Sequence, residues 1–190
     1  MHKVEADLAK QLVYIEGTAA PSTIVSAIES TGRDAILRGS GKSNSAGVCI
    51  LETHAQVPDP VKGLVRMVQV APETTLVDLS IRGLAPGTYH ATIRENGDIS
   101  RGASSTGGIW ETVKRLGGFG ESNGRGMFGT IVVGKDGRGN AFLDKPVSIW
   151  EIVGRSMVVS ERTEGPFSKD DPNTLVGVIA RSAGVWDNEK

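Results

Sequence analysis

The chain has 190 residues, a formal net charge of −1 and one cysteine. This length suits one domain or slightly more, and one cysteine excludes an internal disulfide and any multi-cysteine metal site. The near-neutral charge, without a basic block, argues against a nucleic-acid or anionic-membrane partner. No apolar run approaches the roughly 20 residues that span a bilayer. A reducing, cytoplasmic setting is therefore expected.

The first 42 residues differ from the rest. Apolar and charged residues alternate around Val4 and again around Leu12, which predicts two short strands. Pro21 suits the first turn of a helix, and Gly32 suits its C-terminal end. Residues 34–38 are predicted to form a further strand, giving the order β-β-α-β. The polar segment 39–45 is predicted to be a linker, with domains at 1–42 and 43–190.

In the second domain, the sequence predicts short strands separated by glycine-rich turns. The segment 83–87 and the Asp-Gly hairpin at 134–137 are typical of such turns. The segment 96–126 is predicted to be a long loop with a short helical turn at 110–116. The strands are predicted at 48–51, 63–70, 75–81, 89–94, 130–133, 140–143, 157–160 and 175–180. This pattern predicts a mainly β protein, an eight-stranded Greek-key barrel or sandwich.

The stretch 177–186 has two interpretations. Its apolar first half is typical of a last strand that closes a sheet. Alternatively, Arg181, Ser182 and Trp186 leave the sheet edge as a contact surface, since Trp and Arg are enriched at interface hot spots.

Several segments together resemble a known family. The segments that resemble Cu/Zn superoxide dismutase are Gly83 to Gly87, Glu95 to Asp98, Lys135 to Gly137, Gly154 to Val159 and Gly177 to Ile179. The segments 20–24, 32–39 and 178–186 are more similar to the fungal copper chaperones for that enzyme. The resemblance implies a dismutase-like barrel preceded by part of a ferredoxin-like domain.

In that family, the resemblance implies copper carried on an MxCxxC loop before the barrel and a CxC pair after it. Neither motif occurs in these 190 residues, so we expect this chain to bind no cofactor or metal itself, although copper is implied for the full-length family. We interpret the chain as the central domain with the last part of the first domain attached. Without its central strand, segment 1–42 is expected to be loosely held or paired with another chain.

The resemblance also addresses catalysis. A Cu/Zn dismutase needs about six histidines and an aspartate to hold two metals, whereas this sequence has three histidines. The resemblance places Thr92, Arg94 and Ser160 at copper-ligand positions and Met127 at the zinc aspartate. It places Ala103 and Val176 at the disulfide and Asn173 at the substrate-guiding arginine. We therefore expect no catalytic residues and no enzyme.

Five other residues with metal-binding or thiol chemistry have simpler interpretations. We interpret His90 as a structural histidine on a strand and His54 as solvated. Cys49 is interpreted as a small core residue. Asp170 and Asp171 are interpreted as a solvated turn, with a weak surface cation site as the alternative.

A dismutase-like domain that lacks the metal ligands can still bind another domain of the same fold. The resemblance implies docking on a Cu/Zn superoxide dismutase as a heterodimer, and an isologous face would also serve a homodimer. The predicted contact residues are Asn96, Gly97, Asp98, Val153, Gly154, Arg155, Arg181, Ser182 and Trp186; Arg155 has a competing role in bonding carbonyls of its own chain. The alternatives are a dismutase with unusual ligands and a structural adaptor with an unrelated partner. The resemblance implies the cytoplasm and the mitochondrial intermembrane space.

Overall fold

The computed structural model describes residues 3–17, 19, 21–35, 45–111 and 125–182. The chain divides into two compact units, residues 1–37 and 38–190. Each unit is described by itself below.

The first unit holds the strands β1 (Lys3–Asp7) and β2 (Leu12–Glu16) and the helix α1 (Pro21–Glu29). The two strands pair antiparallel, and Gly32 takes a left-handed φ of 80° just after the helix, as expected for a helix end. None of the described residues of this unit is buried. Asp34 and Ala35 are not in a strand, and the rest of the strand predicted at 34–38 lies outside the described residues. The boundary at 42/43 and the loose hold on this segment stay predictions.

The second unit contains all eight predicted strands, each within three residues of its expected ends. They are β3 (Ala46–Glu52), β4 (Val61–Ala71), β5 (Thr74–Arg82), β6 (Gly87–Ile93), β8 (Met127–Val133), β9 (Arg138–Lys145), β10 (Ser156–Ser160) and β11 (Leu175–Ser182). Two elements were not predicted, the strand β7 (Ser100–Ala103) and the helix α2 (Ile149–Ile152). The prediction of an unpatterned loop over 96–126 was therefore wrong at 100–103, and 112–116 of the predicted helical turn lie outside the described residues.

The eight strands form one antiparallel sheet in the order β8-β6-β10-β11-β3-β4-β5-β9. The chain crosses between distant strands after β5 and again after β9, which are Greek-key connections. The two edge strands, β8 and β9, are joined by the predicted hairpin turn, where the Gly134 N–H donates to the Arg138 carbonyl at 2.9 Å. The sheet thus curls into a nearly closed barrel and confirms the predicted fold class.

The barrel encloses one main core. Its strands alternate, so that on β5 the side chains of Val77, Leu79 and Ile81 face inward, and Ile149 and Ile152 of α2 cover one end. In the described part of the chain, no helix has the length and apolar character to cross a membrane.

Cys49 belongs to this core, as predicted. Its side chain is fully buried, and burial raises the pKa of its thiol to about 12. Because the thiolate is the reactive form, a pKa this high leaves almost none of it at pH 8. We expect no labelling of the native protein by a thiol-specific disulfide reagent at pH 8, and one thiol per chain in guanidinium chloride. Rapid labelling of the native protein would contradict this burial.

Candidate functional site

The loop after β6 and the turn after α2 form one unit. The Ser156 N–H and hydroxyl both donate to the Asn96 carbonyl, at 3.2 and 2.6 Å. Gly97 packs so closely on this turn that a Cβ there would overlap the carbonyl oxygen of Gly154. Gly154 itself has a φ of 85°, a conformation that favours glycine. The structure therefore brings together the residues predicted on both segments.

Arg155 performs the competing role within its own chain. Its Nη1 donates to the Glu95 carbonyl at 2.8 Å, and its Nε donates to the Glu151 carbonyl at 2.9 Å. The guanidinium also lies over the ring of Trp110, 4.8 Å from the centroid. Arg155 thus ties the loop to α2, and two of its five N–H donors are engaged within its own chain.

Strand β11 borders the same unit. The Gly154 N–H donates to the Ile179 carbonyl at 2.8 Å, and the Ile179 N–H donates to the Arg155 carbonyl at 2.9 Å. A Cβ on Gly97 would lie 3.8 Å from a methyl of Val178. The turn and the loop are therefore fixed against the middle of β11.

Arg181 and Ser182 lie farther along, at the end of β11, and pair with Gly47 and Ala46 of β3. Ile149 of α2 covers the Gly47 position, where a Cβ would meet its terminal carbon at 3.0 Å. Since paired residues share a face, Arg181 lies on the side of the sheet that α2 covers. Arg181 is exposed, whereas Trp186 lies outside the described residues.

The Asp98 carboxylate is partly committed to its own loop. The Ser100 N–H donates to Asp98 Oδ1 at 2.9 Å, and this bond lowers the pKa of the Asp98 carboxyl. The group is exposed and stays ionised at neutral pH, so it contributes a fixed negative charge beside Gly97.

Two exposed apolar residues that the sequence reasoning missed border this unit. Ile50 on β3 is 56% exposed, and the register of β3 and β11 places it opposite Val178. Trp150 is 70% exposed on α2, the short helix that ends just before the turn at 153–155. We define the docking face as the eight described predicted residues together with these two residues and Val178, which is opposite Ile50 and next to Gly97: Ile50, Asn96, Gly97, Asp98, Trp150, Val153, Gly154, Arg155, Val178, Arg181 and Ser182.

The positions that the resemblance assigns to copper ligands hold side chains that are occupied otherwise. The Thr92 hydroxyl donates to the Val158 carbonyl at 3.3 Å, and Ser160 Oγ accepts from the Arg162 N–H at 3.3 Å. Arg94 is 2% exposed, lies 4.9 Å from the ring centroid of Phe167 and donates from Nη2 to the Thr163 carbonyl at 2.6 Å. Burial lowers the pKa of this guanidinium, but arginine still remains a cation. A buried cation at a ligand position opposes a metal ion.

The disulfide positions carry an apolar cluster instead. Ala103 and Val176 pack in one buried cluster with Val158, and Ile99 and Phe167 cover it. Hydrophobic contacts thus hold the loop around β7 against β10 and β11, where the resemblance places a disulfide.

The remaining positions assigned by the resemblance, and the predicted turn at 170–171, serve local structure or the surface. Asn173 Oδ1 accepts from the Ala85 N–H at 3.1 Å, and Asp171 Oδ2 accepts from the Thr174 hydroxyl at 2.6 Å. Met127 is exposed at the start of β8. The described residues contain no group of three His, Cys, Asp or Glu that could hold a metal. The residues present therefore do not fit the two metals of a Cu/Zn dismutase.

The interpretation of His54 as solvated was wrong. Its side chain is 18% exposed, its Nε2 is buried 3.6 Å from Glu52 Oε1, and it packs on the Gly102 position. His90 lies partly buried on β6, opposite Ser160. Among the described residues, neither histidine belongs to a group of three potential metal ligands.

The poor fit for metals predicts that metal removal leaves the fold unchanged. Ligands that bind the native state raise its stability, so a structural metal would show as a loss of melting temperature in chelator. We expect EDTA, and separately added Zn²⁺, to shift the melting temperature by less than about 1 °C, well below the several degrees that a 1 kcal/mol change produces in a small domain. A rise of several degrees with Zn²⁺ would reveal a site that these residues do not form.

Comparisons with known proteins agree with the geometry. The family described as "Copper/zinc superoxide dismutase (SODC)" matches residues 61–179. The chain is 42% identical over 197 residues to "Superoxide dismutase 1 copper chaperone" of Debaryomyces hansenii, with 99% of this chain and 77% of the relative covered. It is 40% identical over 191 residues to the protein of the same name from Kluyveromyces lactis, with 98% and 75% covered.

An animal relative extends the match. The chain is 33% identical over 208 residues to "Copper chaperone for superoxide dismutase" of Sus scrofa, with 100% of this chain and 74% of the relative covered. These relatives are named as chaperones and not as enzymes, which supports the prediction that the chain is not an enzyme and disfavours the dismutase alternative. The chain belongs to the family of copper chaperones for superoxide dismutase, and its barrel is that family's Cu/Zn superoxide dismutase domain.

Proposed function

We propose that this chain recognises a Cu/Zn superoxide dismutase subunit and docks on it through the docking face. The observation that carries the proposal is the exposure of Ile50, opposite Val178 of β11, and of Trp150, on the helix that leads into the rigid turn at 153–155. Large apolar side chains held in fixed positions at the surface are typical anchors of protein interfaces. The names of the relatives supply the identity of the partner.

Rigidity supports the same proposal. The Glu151 carboxylate of α2 accepts hydrogen bonds from both η nitrogens of Arg125, at 2.9 and 2.8 Å. Its Oε2 also accepts a hydrogen bond from the Ser148 N–H at 2.9 Å. The buried Ile149 and Ile152 hold the other side of this short helix. Trp150 is therefore presented on an anchored element, so that little conformational entropy is lost when it is buried by a partner.

The proposal includes docking but not copper carriage by these 190 residues. Cu(I) favours soft thiolate ligands, and the one thiol here is buried, with its pKa raised to about 12. Copper is the cargo that the relatives' names imply, and in our proposal other segments of the full-length family carry it. We also propose that the same face serves a homodimer, and that the protein works in the cytoplasm.

Size-exclusion chromatography with light scattering tests the docking step. We expect this chain, mixed with reduced, metal-free Cu/Zn superoxide dismutase at micromolar concentration, to form a species with the mass of one chain of each. Substitution Ile50→Glu should abolish this species, because an unpaired carboxylate would be buried in the interface. Val132→Glu is the matched control, since Val132 is 68% exposed on β8, and it should leave the species unchanged.

The outcomes separate the alternatives. A mixed species that survives Ile50→Glu would place docking elsewhere on the barrel. The lack of any mixed species with the unaltered chain would refute the proposal and favour a structural adaptor with another partner.

A further inference from the structure

Trp110 is buried, and two guanidinium groups lie over its ring. The Arg155 carbon Cζ is 4.8 Å from its ring centroid, and the Arg125 Cζ is 5.4 Å from it. Both distances are within the range of cation–π attraction, which strengthens where water is excluded. Trp110 itself is buried, so its role is not to contact a partner.

Both arginines converge on α2. Arg125 forms two charge-assisted bonds to the Glu151 carboxylate and a third to the Pro146 carbonyl at 3.0 Å. Arg155 Nε donates to the Glu151 carbonyl oxygen. The ring of Trp110 thus completes a closed cluster of Trp110, Arg125, Glu151 and Arg155, which we call the arginine–tryptophan cluster.

The backbone of Trp110 is fixed where the docking loop begins. Its N–H donates to the Ile93 carbonyl at 2.8 Å, and the Ile93 N–H donates to the Gly126 carbonyl at 2.8 Å. Two residues after Ile93, the Glu95 carbonyl accepts from Arg155 Nη1. The cluster therefore reaches the first residue of the loop that carries Asn96, Gly97 and Asp98.

We propose that Trp110 is a positioning residue for docking. By holding the Arg155 guanidinium against its ring, it sets the direction of the bond from Arg155 to Glu95 and so fixes the loop 96–98 relative to the turn 153–155. This inference rests on the proposed function, because its effect is on the affinity for the dismutase. A misplaced loop lowers shape complementarity at the interface without unfolding the barrel.

Two substitutions at Trp110 and one control test the role by biolayer interferometry on immobilised, reduced, metal-free Cu/Zn superoxide dismutase. Trp110→Leu removes the aromatic face, and we expect the dissociation constant to rise about 10-fold, mainly through faster dissociation. Trp110→Phe keeps an aromatic face and should recover most of the affinity. The control is Phe128→Leu, in the fully buried core on β8. It should lower the melting temperature about as much as Trp110→Leu does, and it should leave the dissociation constant unchanged.

Amide hydrogen exchange supplies a second readout. In Trp110→Leu the Ser156 amide, which bonds to the Asn96 carbonyl, should exchange faster while the β3 and β4 amides keep their protection. Trp110→Leu binding as tightly as the unaltered chain would overturn the inference and leave the proposed function intact. Equal weakening by Trp110→Leu and Phe128→Leu would reduce Trp110 to a stability role. Failure of the unaltered chain to bind would overturn both proposals.

Discussion

Gly97→Ala should weaken docking on the dismutase by about 100-fold, a loss expected when a central contact is misplaced. An added Cβ would overlap the carbonyl oxygen of Gly154, and because that atom belongs to the backbone, the loop or the turn must shift. Either shift breaks the Ser156 bonds to the Asn96 carbonyl. Isothermal titration calorimetry of the variant with reduced, metal-free dismutase measures the change in the dissociation constant.

Gly108→Ala is the matched control for that variant, since Gly108 lies in the same loop. A Cβ there would meet Glu95 side-chain atoms at 3.6 Å or more, an ordinary contact distance. We expect its affinity to equal that of the unaltered chain. An unchanged affinity for Gly97→Ala would show that the loop around Asn96 is outside the interface.

Gly177→Ala should lower the free energy of unfolding by about 3 kcal/mol or more, the upper range of overpacking effects in a dense core. Gly177 lies on β11 with its Cα against β3. A Cβ there would overlap the Ile50 carbonyl oxygen and lie 2.8 Å from Cys49 Sγ. Urea denaturation followed by fluorescence measures the change.

Gly87→Ala is the control for this second variant. Gly87 begins β6, and a Cβ would meet only side-chain atoms of Tyr89 and Glu161, at 3.6 and 3.7 Å. Its free energy of unfolding should stay the same or rise slightly, because alanine restricts the unfolded chain. Equal stability of the two variants would mean that β3 and β11 do not pack as closely as the structure shows.

The strands were predictable because their residues follow period-two alternation or form short apolar runs between glycines. β5 shows why: its inward residues 75, 77, 79 and 81 alternate with outward ones, and both neighbours, β4 and β9, keep one register over most of its length. The short strand β7 escaped prediction because the sequence Ser-Arg-Gly-Ala has neither a period nor β-branched residues. Helix α2 did carry a signal, the Ser148-x-x-Glu151 pattern of a capping box.

Eight of the eleven residues of the proposed docking face were predicted from the sequence. The loop at 96–98 and the turn at 153–155 followed from the resemblance, and the structure brings them together. Ile50 was hidden because the run Val48-Cys49-Ile50-Leu51 is apolar throughout, so the sequence does not reveal which side chain faces outward. The exposure of Trp150 depends on the burial of its helical neighbours, which only tertiary packing decides.

The side-chain contacts at the positions that the resemblance assigns to metal ligands and to the disulfide could not be predicted from the sequence. Counting histidines argued against a dismutase, but the count did not say what replaces the ligands. The structure shows Arg94 stacked on Phe167 and an apolar cluster at the disulfide positions. Arg94 and Phe167, and likewise Ala103 and Val176, are 73 positions apart in the chain, a separation over which local patterns carry no information.

Hydrogen–deuterium exchange of the full chain, with and without reduced, metal-free Cu/Zn superoxide dismutase, tests the central claim most directly. Docking through the proposed face should slow exchange in peptides that cover 48–52, 95–98, 150–155 and 178–182. The peptides of β8 and β9, which hold Val132 and Phe142 at the surface, should exchange at the same rate in both samples. Protection confined to β8 and β9, or no protection at concentrations well above micromolar, would contradict the account.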